Sequence, residues 1–174
     1  MKNMQEMQRE SFVRAYVQSV LQRLHAEGFQ CAENVVYAGQ TFTATAYKGG
    51  FEISKFGYFE RFFVLQHLAS IDPFSLRRFS EHCYNYSTTA RQSPLPLGFF
   101  AALVCYPVAI VETVDQATAL AISNETPSKH MGSFEFPAIY EMNTRRLYYL
   151  GRTPMWGAAY INGFRNEAQR SLSY

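Results

Sequence analysis

The sequence is short of charge. Asp, Glu, Lys and Arg make up only 17% of its 174 residues, and their near balance leaves a formal net charge of +2. A chain of this kind lacks the basic stripe that draws phosphates, so a dedicated DNA or RNA reader is disfavoured. Cysteine is scarce as well. Cys31, Cys83 and Cys105 are widely spaced and odd in number, and they form neither a CxxC pair nor a Cys/His ligand pattern. They read as reduced, buried thiols of a cytoplasmic protein. No disulfide framework and no metal site is expected, and folding without a cofactor is plausible. The opening Met1-Lys2-Asn3-Met4-Gln5-Glu6 has no apolar centre and includes an acid, so no targeting segment is expected.

Other absences narrow the chemistry. No GxGxxG, GxxxxGK[ST] or GxSxG pattern occurs, so nucleotide-binding loops and nucleophile elbows lack the backbone they need. The histidines His25, His67, His82 and His130 form no HxxxH or HExxH pair. One long stretch has no charge, from Arg91 to Glu112. Pro94, Pro96, Gly98 and Pro107 break any helix through it, and Val104, Val108, Ile110 and Val111 favour an extended chain. A buried strand is expected there rather than a membrane span.

What the chain has in quantity is apolar and aromatic surface. Hydrophobic residues reach 48%, with 15 Phe and 12 Tyr against a single Trp. That is more ring area than a small core holds, so part of it should coat a contact surface, most simply that of a homo-oligomer or a protein partner.

Periodicity sets out one domain over residues 1–174. Phe12, Val13, Tyr16, Val17, Val20, Leu21 and Leu24 lie on one helical stripe that Gly28 stops. From Gln30 to about Leu65 the period becomes two, with turns signalled at Gly39, Gly49-Gly50 and Gly57, which predicts strands near 32–37, 41–47, 51–56 and 58–66. Asp72-Pro73 opens a second helix. A strand over 99–111, a short helix begun by a Thr113/Gln116 capping box and ending near Ser123, a polar loop over 125–133 and a strand over 134–141 follow. That stretch reads as a βαβ crossover. Arg146–Leu150 then closes a hairpin around Asn143-Thr144, and Thr153-Pro154 caps a last helix to about Ser171. The expected fold is α+β: a single mixed sheet, made of an N-terminal antiparallel meander, a βαβ unit and a C-terminal hairpin, flanked by about four helices.

This opening order of helix, three-strand meander, helix and strand resembles that of the restriction-endonuclease-like fold. In that family an Asp and a Glu-x-Lys or Asp-x-Lys on adjacent strands hold the catalytic metal. The resemblance points to Glu52 and Lys55, in Glu52-Ile53-Ser54-Lys55. The sequence departs from the pattern there: a spacing of three puts the two side chains on opposite faces, and no Asp precedes Asp72.

Other candidates are local. Pro127 to Ser133 carries Lys129, an anion holder, beside His130, a general base near its natural pKa. Arg77-Arg78 and Arg145-Arg146 could each receive a phosphate or a partner's carboxylate. Trp156, next to Gly157, could pack or serve as a stacking platform. The leading expectation is a noncatalytic interaction or regulatory module that self-associates through Phe- and Tyr-rich surface. The alternative is an enzyme, either a diverged phosphodiester hydrolase or a small hydrolase using the Lys129-His130 loop.

Overall fold

A computed structural model describes residues 2–53, 57–155 and 158–174, the side chains of residues 2, 3, 5 and 159 excepted. The elements run α1 (Lys2–Ala26), β1 (Gln30–Tyr37), β2 (Gln40–Glu52), β3 (Gly57–His67), α2 (Pro73–Thr89), β4 (Ala101–Val111), α3 (Gln116–Asn124), β5 (Ser128–His130), β6 (Ser133–Glu135), β7 (Ala138–Glu141), β8 (Arg146–Tyr149) and α4 (Ala158–Leu172). The eight strands make one mixed sheet in the order β1-β2-β3-β4-β6-β5, with β7 paired to β4 and to β8. β1, β2 and β3 are an antiparallel meander, and β4 lies parallel to β3. On its other side β4 runs parallel to β6 and then to β7. The expected crossover through α3 is therefore present, and α2 makes a second one between β3 and β4.

Alternation along β4 divides the layers. Cys105 faces α2, where the Ser87 hydroxyl donates to its Sγ at 3.2 Å, while Tyr106 faces α4 and gives its hydroxyl to Glu167 at 2.5 Å. α1 lies with α4, since the Tyr16 hydroxyl donates to the Leu172 carbonyl at 2.8 Å and Arg170 pairs with Glu27. The core fills both spaces with rings. Tyr16 stacks on Tyr140 at 3.7 Å, and Phe63 stacks on Tyr106 at 4.3 Å, all four fully buried.

Local chemistry explains the helix ends. α1 stops where Gly28 takes φ +87, with Gly28 N donating to His25 O and Phe29 N to Leu24 O, so the last carbonyls are satisfied as the chain turns. Asp72 caps α2 by accepting from the Phe74 and Ser75 amides, and the Ser75 hydroxyl oxygen accepts in turn from the Asp72 amide. These bonds hold the Asp72 carboxyl below the usual carboxylate range. At α3 the cap is Asp115, not Thr113. Asp115 with Thr118 repeats the same spacing two residues on, and a carboxylate is the stronger acceptor for the Thr118 amide, at 2.8 Å.

Four further expectations change. Gly49-Gly50 does not turn; it lies within β2, which joins the strand expected at 41–47 to residues 51–52 of the one expected at 51–56, whose residues 54–56 lie outside the described residues. A Cβ at Gly49 would fall on the Tyr47 hydroxyl and within 2.7 Å of the Tyr58 hydroxyl, so the glycine leaves room for those rings. The strand over 134–141 divides into β6 and β7 at Phe136-Pro137, opposite Tyr106-Pro107 of β4, where prolines have no N–H to continue the ladder. The polar loop over 125–133 contains β5, which pairs with β6. α4 begins at Ala158, past Thr153-Pro154.

β1 forms one margin of the sheet. Its residues are mostly exposed, and Asn34 interrupts it with φ +53.

Candidate functional site

The described structure offers two candidate sites, one apolar and one polar. The apolar one lies at the end of the sheet where β2 leaves and β3, β4 and β6 begin. Tyr58 and Ala101 are register partners there, so the start of β3 and the loop before β4 lie side by side. Gly98, with φ +89, bends that loop, and Gly132, with φ +70, bends the β5–β6 turn directly onto it. These turns raise apolar side chains into solvent. Phe99 is 78% exposed and Met131 77%, with Phe51, Ile53 and Phe100 also exposed. Phe99 and Phe100 line an open groove of about 230 Å³ together with Phe59, Phe134, Tyr160, Gly98 and Gly132. Clustered apolar exposure on this scale is uncommon on a surface that meets only water.

The loop that carries Phe99 is anchored by a buried charge. Glu60, fully buried, takes Arg91 Nε at 2.7 Å, the amides of Gln92 and Ser93 at 3.0 and 3.2 Å, and the Tyr47 hydroxyl at 3.2 Å. Arg91 also donates to the Leu95 carbonyl at 2.8 Å. The carboxylate thus receives four donors, three on Oε1 and the arginine on Oε2, which offset the cost of holding a charge inside.

The polar site joins β5, β6 and α2. His130 Nε2 lies 2.6 Å from Glu135 Oε1, and the Ser80 hydroxyl donates to Glu135 Oε2 at 2.5 Å. The His130 ring stacks on Tyr84 at 4.2 Å, and the Tyr84 and Ser133 hydroxyls are 2.7 Å apart. An ionised Glu135 only accepts, so the proton of this bond sits on His130 Nε2. The His130 side chain is 42% exposed and opens on a hollow of about 250 Å³ that Ser80, Glu125 and Pro137 also line. His130 therefore has the orienting partner that a general base requires.

No protein-family model, no curated protein and no solved structure matches the chain. The geometry stands alone.

The remaining candidates are dispersed. Lys129 is the residue before His130 on β5, so strand alternation turns it to the other face. Glu52 forms an ion pair with Arg61, which also holds Glu167 at 3.1 Å on the α4 side of the sheet, away from His130. Burial and then Glu167 push the Tyr106 hydroxyl well above its usual pKa, so it stays a donor to that carboxylate. Lys55 and Trp156 lie outside the described residues. Arg77 pairs with Glu125 at 2.7 Å, and Arg78 lies over the Phe74 ring at 5.9 Å. Arg145 lies over Tyr174 at 5.1 Å and Arg146 over Tyr148 at 5.0 Å. Among the described residues no three of His, Cys, Asp and Glu gather into a group that could hold a metal ion. No helix among the described residues is long and apolar enough to cross a membrane.

Sequence reasoning missed Glu135, Ser80 and Tyr84. One signal was available: Glu135 is the only charge in the apolar run from Ser133 to Tyr140, and a carboxylate on a buried strand needs partners.

Proposed function

We propose that this protein is an interaction module that pairs with a second copy of itself through the apolar end of its sheet. One observation carries the reading: protruding rings and an open groove of matching chemistry stand on the same surface. A two-fold contact brings each patch against its own copy, so a surface holding both knob and hole can satisfy itself twice. Phe99 is the knob, and the groove beside Tyr160 is the hole. Aromatic residues at the centre of such a contact carry most of its energy.

Light scattering coupled to size exclusion, run over a dilution series, tests this. The native chain is expected to pass from dimer to monomer as it is diluted. Phe99→Asp should weaken the dimer by about tenfold or more, because it places a charge at the centre of the contact, with the urea midpoint unchanged. A native chain that is monomeric at every concentration ends the proposal.

A second reading, a small hydrolase, is favoured by the 2.6 Å bond between His130 and Glu135. In it Nδ1 of His130 takes a proton from an attacking water while Glu135 steadies the imidazolium. Against a panel of activated carboxylic and phosphate esters, His130→Ala should lower kcat by about 100-fold or more. No turnover by the native chain on any of them removes this reading.

A further inference from the structure

Met131 stands in the two-residue turn between β5 and β6, within the apolar patch, and is 77% exposed. The backbone of that turn is fixed. Gly132 O accepts from the Leu103 amide at 3.0 Å, and the turn rests on the loop at Gly98, where a Cβ would come within 2.9 Å of Met131 Cγ. The thioether is thus held open to small oxidants in the free chain. Other methionines supply references. Met142 is only 7% exposed, whereas Met4 and Met7, on α1, are 65% and 70% exposed. α1 starts at the opposite end of the sheet, since Arg9 pairs with Glu112 just past the end of β4, while the patch gathers where β4 begins.

Oxidation changes what this position presents. A peroxide delivers one oxygen atom: a sulfur lone pair forms the S–O bond, the O–O bond breaks, and the departing hydroxide takes the proton of the transferred oxygen and leaves as water. Sulfur loses two electrons and the peroxide gains them. The product is polar and chiral where the thioether was apolar and pliant. Burying its oxygen in a contact built on Phe99 and Phe100 leaves an acceptor unmet, and a two-fold contact repeats that loss in the second copy.

We propose that Met131 is a site of oxidation by peroxides and that its sulfoxide dissociates the pair. The inference rests on the self-association proposed above. Light scattering over a dilution series gives the dissociation constant before and after hydrogen peroxide, and peptide mass mapping locates each added oxygen. Dithiothreitol is applied to every sample first, because it reverses oxidation at the exposed thiol of Cys31 and leaves sulfoxide in place. Met131, Met4 and Met7 are expected to gain oxygen before Met142, and the native constant to rise about tenfold or more. Raising the protein concentration should slow oxidation of Met131, which pairing covers, and leave Met4 and Met7 at their former rates. Methionine sulfoxide reductases, drawing electrons from a dithiol, should restore the native constant. Met131→Leu is compared only with itself: its own constant, whatever its value, should not move on oxidation. A pair that survives full oxidation of Met131 overturns the inference and leaves self-association standing. So does a Met131→Leu protein that dissociates on oxidation as the native one does, or a rate at Met131 indifferent to protein concentration. That rate, read on the native chain, decides the matter even if the variant fails to fold. A native chain that is monomeric before any treatment removes self-association and this inference with it.

Discussion

Arg91→Ala is expected to lower the free energy of unfolding by about 3–5 kcal/mol, the range seen when one member of a buried ion pair is removed. The reason lies in what remains. Glu60 stays fully buried, keeps the Gln92 and Ser93 amides and the Tyr47 hydroxyl, and loses the guanidinium that pairs with its carboxylate. The variant also releases the Leu95 carbonyl, so the loop leading to Phe99 loses two anchors at once. Urea unfolding of Arg91→Ala, Glu60→Gln and the double variant measures this directly. The double variant should be more stable than Arg91→Ala, since neutralising Glu60 removes the stranded charge. A loss below about 1 kcal/mol in Arg91→Ala would mean that solvent reaches Glu60 and that the pair is an ordinary surface contact.

Gly132→Ala should cost about 2–5 kcal/mol. Part is the φ of +70, which costs an L residue roughly 1–2 kcal/mol. The larger part is contact, because the new Cβ would lie 2.5 Å from Gly98 Cα and 2.9 Å from the Leu97 carbonyl carbon. Both are backbone atoms in a loop pinned by Glu60, so neither can rotate aside, and overpacking of this kind adds about 1–3 kcal/mol. Gly39→Ala separates the two contributions: Gly39 has φ +78 but nothing within 4 Å of its Cβ position. Equal losses at the two sites in urea unfolding would show that the back-to-back turns do not touch. Because these turns carry Met131 and Phe99, Gly132→Ala should also weaken the proposed self-association.

The parts of this fold that were legible are those fixed by near neighbours in sequence. The stripe from Phe12 to Leu24 needs only helical spacing, and Asp72-Pro73 supplies a cap and a preset φ to the same turn, so α1 stops at Gly28 and α2 opens at Asp72-Pro73 as expected. The apolar run into Val111 reads as a strand buried on both faces because β4 lies between β3 and the β6–β7 pair. Misreadings arose where a distant residue decided the local shape. Gly49 signals a turn in isolation, yet the rings of Tyr47 and Tyr58 occupy the space it leaves. Thr113 and Asp115 offer rival caps at the same spacing, and the amide of Val114, between them, is taken by Glu141 at 2.8 Å. Burial pushes the Glu141 carboxyl up, but bonds from Thr144, Val114 and Tyr148 outweigh it and hold the group below its usual range.

The candidate sites were legible only in part, for the same reason. His130 stood out as a histidine in a polar stretch, but its partners come from β6 and from α2, the latter some fifty residues away. Surplus rings foretold exposed aromatic area. Which rings would be exposed depended on how the loop before β4 and the β5–β6 turn meet at one end of the sheet.

The margin of the sheet at β1 constrains how copies can add to one another. A foreign strand aligned there would need a regular row of amides and carbonyls, and Asn34 tilts its own peptide groups out of that row. Next to it stands the carboxylate of Glu33, bound by Gln18 at 2.9 Å, so an incoming chain would also have to bury a charge. Lateral growth into ribbons or fibrils is thereby blocked at this border, and a closed pair remains compatible with a chain so rich in phenylalanine and tyrosine.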